Sequence, residues 1–199
     1  MLIVQSPLCG PVKEVYLNHQ DLRRKDAMSK TINIDVMFDT VTIEQRYGGG
    51  GSADNPIGIK HEDVWMVAQK VVVESGQATA DLTVKVLVND TIRWRSESLS
   101  GNTDQAAIIY KIAQFSGDTV TSDPEMRVSY PPTPIPDPKN PTSYTSVTTQ
   151  ADVFLSCEVL KMGTEGYKVY FYIVNKDEYT GELKTFGYYY WDPTIKVIG

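Results

Sequence analysis

Histidine and cysteine, on which nucleophilic and metal chemistry most often depends, are scarce in this sequence. The two histidines are His19 and His61, and the two cysteines are Cys9 and Cys157. A Ser-His-Asp or Cys-His arrangement would have to use His61, because His19 lies in a segment without clear periodicity. No Gly-x-Ser-x-Gly motif accompanies His61, and Cys157 lies in an apolar run that indicates a buried thiol. We therefore expect no catalytic residue, and we interpret His61 as a loop residue that makes a structural hydrogen bond.

Sequence motifs for metal ions and phosphate groups are missing as well. No Cys-x-x-Cys, His-x-x-x-His or calcium-loop spacing occurs. Asp104, Asp118 and Asp123 could gather around calcium at one end of a sandwich, but aspartates in loops more often form turns. The glycines at 48–51 have no following Lys-Ser or Lys-Thr, so they do not match a phosphate-binding loop. We expect neither a metal site nor a cofactor.

Tyrosines near the C-terminus are the strongest candidates for a binding surface. Tyr170 and Tyr172 fall on one face of a predicted strand, and Tyr188 and Tyr190 fall on one face of the next, because strand side chains alternate. One interpretation is an exposed face that binds a partner, another subunit or a sugar. The other is that both faces of these strands are buried within the fold. The sequence leaves both open, and these four residues are the predicted interface or ligand face.

Composition indicates a single soluble domain. The chain has 199 residues, of which 41% are hydrophobic and 22% charged, enough to bury a substantial core. A net charge of −6 and a pI near 4.9 argue against a nucleic-acid partner, which would need a basic face. No apolar stretch has the length of a membrane span, and the first residues lack the features of a secretory signal peptide. We expect a cytoplasmic protein with reduced cysteines and no membrane partner.

Short alternating segments separated by turn residues predict an all-β fold. The clearest strand is 80–88, in which the even-numbered residues are apolar and share one face. A second strand places Trp94 inward, with Arg93 and Arg95 on the opposite face. Segment 64–73 is apolar on both faces, which predicts a central strand covered on two sides.

Three segments have the composition of turns or of a short helix. The glycines of 163–166 predict a hairpin between two strands, and 179–182 predicts a second hairpin. Residues 41–47 form the one stretch with helical character, with Asp39 or Thr40 as its cap. At most short helical turns are therefore expected within the β fold.

Two regions differ in character from the alternating body. Residues 1–27 lack sustained periodicity, and alternation begins only after Met28. We predict that 1–27 form an N-terminal extension, either loose or outside the native start, and that 28–199 form the domain. The proline-rich segment 131–138 predicts a stiff surface connection in polyproline II conformation, which could also dock in the aromatic groove of a partner.

Several short motifs, in this order and spacing, resemble the AidA/PixA family of bacterial inclusion body proteins over about residues 30–198. These motifs are Ile34-Asp35-Val36 with Asp39-Thr40, Asn55-Pro56-Ile57-Gly58-Ile59-Lys60-His61, Gly76-Gln77-Ala78-Thr79-Ala80-Asp81-Leu82, Asn89-Asp90-Thr91-Ile92-Arg93-Trp94-Arg95, Ile108-Ile109-Tyr110, Gly163-Thr164-Glu165 followed by Tyr170-Phe171, and Tyr190-Trp191-Asp192-Pro193. Ile57 and Asn89 depart from the family pattern at turns. The resemblance implies a small cytoplasmic protein, and some members accumulate as intracellular inclusions. It implies no catalytic residues.

The sequence thus predicts an antiparallel β-sandwich, of simple or jelly-roll type, and a protein that is not an enzyme. The expected function is that of a self-associating inclusion-body-type protein, a homo-oligomer that serves in storage or host interaction. The alternative is a β-sandwich module that binds a carbohydrate or another small ligand.

Overall fold

A computed structural model describes residues 29–198 of the chain, with side chains as far as residue 193. Within this range the fold is all-β, as predicted, with one short α-helix, α1 (Thr40–Tyr47). The strands are β1 (Thr31–Phe38), β2 (Ile57–Gly58), β3 (Val64–Ala68), β4 (Val73–Ser75), β5 (Leu82–Lys85), β6 (Thr91–Ser98), β7 (Gln105–Gly117), β8 (Glu125–Ser129), β9 (Pro132–Asp137), β10 (Asn140–Thr149), β11 (Asp152–Glu158), β12 (Gly163–Lys176), β13 (Leu183–Trp191) and β14 (Thr194–Ile198). The predicted extension, residues 1–27, lies outside the described residues.

Most strands belong to two sheets that pack against each other. The first sheet has the strand order β3-β1-β6-β11-β8. The second has the order β2-β13-β12-β14-β5-β4, and β7 pairs with the opposite side of β12. Strands β9 and β10 form a separate two-stranded sheet. The core therefore lies between the first and second sheets.

The pairing is antiparallel for most strands, as predicted, but three pairs are parallel. These pairs are β1 with β6, β2 with β13 and β5 with β14. Parallel neighbours require long crossover connections, so they join segments that are far apart in the sequence. The prediction of an antiparallel sandwich therefore describes the fold only in part.

Side-chain alternation places the predicted core residues inside. Leu82, Val84, Val86 and Trp94 are buried, and their charged neighbours lie on the other face of each strand. The predicted extent of this strand, 80–88, is too long, and Val88 leaves the apolar face, since it is 45% exposed. Strand β5 ends at Lys85, and the chain then turns toward Asn89, whose φ is 75°. This turn interrupts the alternation.

Two further predictions from sequence patterns are wrong. The segment 64–73 is not a central strand: β3 lies at the edge of the first sheet and ends at Ala68, and Val71 is 82% exposed. Segment 163–166 is not a hairpin, because it forms the beginning of β12 and pairs with β14 and β7. A Cβ atom at Gly166 would lie 2.2 Å from Ser116 Oγ. This glycine permits close approach of β7 and is not part of a turn.

The other predicted turn and helix are confirmed. Segment 179–182 closes the hairpin between β12 and β13, where the Asp177 amide donates to the Glu182 carbonyl at 2.9 Å. Asp39 caps α1 by accepting a hydrogen bond from the Thr42 amide at 3.0 Å.

The predicted polyproline II connection is wrong, because residues 132–137 of the proline-rich segment form β9 and pair with β10.

Candidate functional site

A cluster of tyrosines covers the outer face of the second sheet. Strands β12 and β13 place Tyr170 opposite Tyr190 and Tyr172 opposite Tyr188, and the rings lie 6.0 Å and 5.7 Å apart. Tyr110 from β7 completes the group, with its ring 6.2 Å from that of Tyr170 and 6.0 Å from those of Tyr172 and Tyr188. All five side chains are half-buried. We call these five residues the tyrosine face.

The opposite side of the same strands belongs to the core. Phe171, Tyr189 and Trp191 are fully buried, and the Phe171 ring stacks on that of Phe38 at 4.2 Å. One face of these strands is therefore core, and the tyrosines of the other face are half-buried, which lies between the two predicted alternatives. The structure brings all four predicted residues together on the open face.

Tyr110 is the member of the tyrosine face that sequence reasoning missed. It lies at an irregularity in the pairing of β7 with β12, and its position beside Tyr170 and Tyr188 depends on that long-range pairing. Its hydroxyl donates a hydrogen bond to the Ala53 carbonyl at 3.2 Å. Burial raises the pKa of Tyr110, and the neighbouring Tyr170 and Tyr188 raise it further, so the hydroxyl keeps its proton at neutral pH.

Two lysines lie against the tyrosine face. Lys111 Nζ is 5.2 Å from the centre of the Tyr170 ring, and Lys168 Nζ is 5.1 Å from the centre of the Tyr190 ring. Such cation–π contacts contribute about 0.5–1 kcal/mol each at exposed sites. On the other side, Gly58 pairs with Tyr190, and a Cβ atom at position 58 would lie 3.1 Å from the tyrosine ring. The face is thus an aromatic surface with positive charge and hydroxyl groups.

His61 lies outside the tyrosine face, in a 3₁₀ turn after β2. Its Nδ1 is 3.1 Å from Asp81 Oδ2, and its Nε2 is 3.3 Å from Asp192 Oδ1. Asp192 belongs to the Tyr-Trp-Asp-Pro motif, so the histidine links that motif to the segment before β5. His61 therefore makes structural hydrogen bonds from a loop position, in agreement with the prediction.

Cys157 lies beside a buried polar cluster in the core. The carboxylate of Glu165 accepts hydrogen bonds from the amides of Val120 and Thr121 at 2.9 Å and 3.0 Å, and from the Tyr167 hydroxyl at 2.8 Å. Burial raises the pKa of the Cys157 thiol to about 11. The thiol therefore stays protonated at neutral pH and is a poor nucleophile.

A cleft of about 470 Å³ opens between the first sheet and β7. Trp94, Asn102, Ile109, Met126 and Asp152 are among the residues that line it. Within the cleft Arg95 donates two hydrogen bonds to Asp152, at 2.6 Å and 2.7 Å. Hydrogen bonding to Arg95 lowers the pKa of Asp152, and the same hydrogen bonds raise the pKa of Arg95.

The described residues contain no cluster of three or more histidine, cysteine or acidic side chains that could hold a metal ion. Asp104, Asp118 and Asp123, considered above as calcium ligands, do not come together. No helix among residues 29–198 has both the length and the apolar character needed to cross a membrane.

Comparisons with known proteins identify the family. A family model described as PixA, inclusion body protein, matches residues 30–197. The crystal structure of an inclusion body protein (PixA) from Burkholderia cenocepacia J2315 is similar at a TM-score of 0.70 and 20% identity, covering 86% of this chain and 98% of that chain. The solution structure of amebosin aligns at a TM-score of only 0.18 and 10% identity, over 64% of this chain and 92% of that chain, which is too low to indicate a common fold. No curated protein matches. This chain belongs to the PixA family of inclusion body proteins.

Proposed function

We propose that this chain is a non-enzymatic, self-associating protein of inclusion-body type that serves in storage or host interaction. In this proposal the copies contact each other through the tyrosine face. The supporting observation is that five half-buried tyrosines from three neighbouring strands lie side by side on the outside of the second sheet.

The physical properties of this face suit a contact between proteins. Tyrosine supplies a large contact area with few rotatable bonds, and its hydroxyl group tolerates partial hydration. The rings already pack against one another at about 6 Å, so ordering them on association costs little side-chain entropy. By contrast, the outward positions of β5 are Thr83 and Lys85, which is the usual pattern for a strand facing water.

The two residues best suited to nucleophilic catalysis support the non-enzymatic part of the proposal. The Cys157 thiol is buried and its pKa is raised to about 11, so the reactive thiolate is disfavoured. Both ring nitrogens of His61 lie within hydrogen-bond distance of carboxylate oxygens. The buried thiol of Cys157 is thus a poor nucleophile, and the hydrogen-bonding positions of the His61 ring are occupied by two aspartates.

Replacing Tyr170 and Tyr188 together with serine tests the proposal. We expect the double variant to have a smaller hydrodynamic size by sedimentation velocity, with an unchanged circular dichroism spectrum. Tyr179→Ser is the matched control, since Tyr179 is 95% exposed at the turn between the same two strands. A wild-type chain that remains monomeric at high concentration would refute the proposal. A double variant that unfolds would show that the face is part of the core.

The cleft favours a second candidate function, the binding of a carbohydrate. It combines an apolar floor from Trp94 and Ile109 with hydrogen-bonding groups from Asn102 and Asp152, the combination that sugar sites use. A glycan array followed by calorimetry checks this function. Binding that weakens in Glu97→Ala, which also lines the cleft, and persists in the tyrosine double variant would support it. Absence of binding to any glycan would argue against it.

A further inference from the structure

Strands β9 and β10 form a hairpin, here called the arm, that stands away from the two packed sheets. Every residue of β10 and most residues of β9 are exposed. Within the described part of the chain, the two strands pack on each other and not on the sandwich. No sheet or helix among the described residues covers the arm, and an isolated two-stranded hairpin is at best marginally stable in water.

The arm continues a ladder of the first sheet in the same register. In that ladder Ser129 of β8 lies opposite Asp152 of β11, and in the arm Pro132 lies opposite Thr149. Two residues on each strand separate these pairs, so the arm extends the edge of the sheet in line. Bending back over the sandwich would break this ladder, so the sandwich itself does not supply a covering layer for the arm.

One face of the arm is apolar. Opposite residues of an antiparallel pair share a face, and the pairs Pro134 with Val147 and Pro136 with Tyr144 lie on the same one. Tyr144 and Val147 are 65% and 55% exposed. Exposed apolar surface of this kind marks a site of protein contact.

The two edges of the arm differ in their capacity to add a strand. Proline has no amide hydrogen and cannot donate to a neighbouring strand. Pro132, Pro134 and Pro136 therefore fit β9 only at positions whose backbone nitrogen points away from β10. The free edge of β9 therefore offers no donor at these positions. The residues opposite them in β10, Val147 and Thr149 among them, direct their amide and carbonyl groups to the free edge of β10. That edge is open.

Strand β10 contains no charged residue across its ten positions, Asn140–Thr149. Charged side chains on edge strands are the usual protection against pairing with another chain, and this edge has none. A neutral strand with one unpaired edge and one apolar face is complementary to a second copy of itself. Antiparallel pairing of two copies about a two-fold axis brings the same edge and the same face to both sides.

We propose that the arm is a second contact between copies of this chain, in which the β10 strands of two molecules pair antiparallel into a four-stranded sheet. The contact extends the proposed self-association to a surface separate from the tyrosine face. It can be tested independently, because neither Tyr170 nor Tyr188 belongs to the arm.

Val147→Pro tests the contact by removing an amide that points to the free edge while leaving the ladder with β9 intact. Val147→Thr is the matched control, since it keeps the amide and the branched shape. We expect association of the proline variant to weaken roughly tenfold or more by sedimentation velocity, and that of the threonine variant to change little. Val147→Lys, which adds a charge to the edge, should weaken association as the proline does. Unchanged association of both the proline and the lysine variants would overturn the proposal.

Hydrogen exchange of the unmodified protein supplies a second measurement that no folding defect can affect. The amides of Val147 and Thr149 should exchange about tenfold or more slowly at high protein concentration than at low concentration. The Tyr170→Ser and Tyr188→Ser double variant should keep this protection, even if its overall size decreases. Fast exchange at every concentration would overturn the proposal. Protection that does not depend on concentration would assign the edge to a segment of the same chain, and would overturn it too.

Discussion

Glu165 offers a sharp test of what holds the two sheets together. Its side chain is 2% exposed, and its carboxylate binds the amides of Val120 and Thr121, in the segment between β7 and β8. Glu165→Ala removes the acceptor and leaves both buried amides unpaired, whereas Glu165→Gln keeps a carbonyl oxygen. Both variants lose the buried charge, so the difference between them reports the two lost hydrogen bonds together with the cavity that alanine leaves.

The size of that difference follows from the cost of unpaired buried amides. Each one costs about 1–3 kcal/mol, and water that enters the new cavity moves the total toward the lower end. We therefore expect the free energy of unfolding of the alanine variant to be about 2–4 kcal/mol below that of the glutamine variant. The Tyr167 hydroxyl adds little to this difference, because it keeps the Thr121 hydroxyl as a partner at 2.9 Å.

Urea-induced unfolding, followed by tryptophan fluorescence, measures these free energies. The Trp94 ring lies 6.3 Å from the Tyr167 ring, so the signal reports on this part of the core. Glu158→Ala, which removes an exposed carboxylate from β11, is the control and should change stability by less than about 0.5 kcal/mol. Alanine and glutamine variants of equal stability would refute the reasoning, since the two amides would then have found other partners.

Three further predictions concern other parts of the chain. Val84→Ala should lower the free energy of unfolding by about 1–3 kcal/mol in urea, because it leaves a cavity in the core; no loss would contradict the assigned packing. A chain that starts at Met28 should melt within a few degrees of the full chain in calorimetry, and a much lower melting temperature would show that residues 1–27 stabilise the domain. The folded-state pKa of Asp152 is lowered by Arg95, so the ion pair stabilises the fold above the ordinary carboxylate pKa of about 4 and is lost as the pH falls through the lowered value. Asp152→Asn should therefore reduce stability in urea at neutral pH and have little effect in strong acid; an equal loss at both pH values would contradict this.

Properties set by local alternation could be predicted from the sequence. The burial of Leu82, Val84 and Trp94 follows from the geometry of a single strand, which needs no knowledge of its neighbours. The common face of Tyr170 and Tyr172 follows in the same way. The addition of Tyr110 does not, because it depends on the long-range pairing of β7 with β12 and on an irregularity in that pairing.

Two of the wrong predictions arose where one residue type serves two structural purposes. Glycine permits turns, but it also fits where two strands lie very close together. Gly166 is of the second kind, because β7 approaches it too closely for a side chain. Proline favours extended conformations of both the polyproline II and the edge-strand type, since both accept its restricted φ. Segment 132–137 forms a strand because β10 supplies a partner for it, which no pattern within the segment reveals.

The parallel pairing of β5 with β14 determines when this protein can complete its fold during synthesis. Strand β5 emerges from the ribosome long before residues 194–198, which pair with it along one edge. Until then the second sheet lacks one of its internal strands, and nascent β5 has only β4 as a neighbour. Such non-local pairings form late and leave apolar strand surface exposed in the meantime. Completion of the second sheet therefore waits for the synthesis of residues 194–198, and chains that still lack them are the form most in need of chaperones.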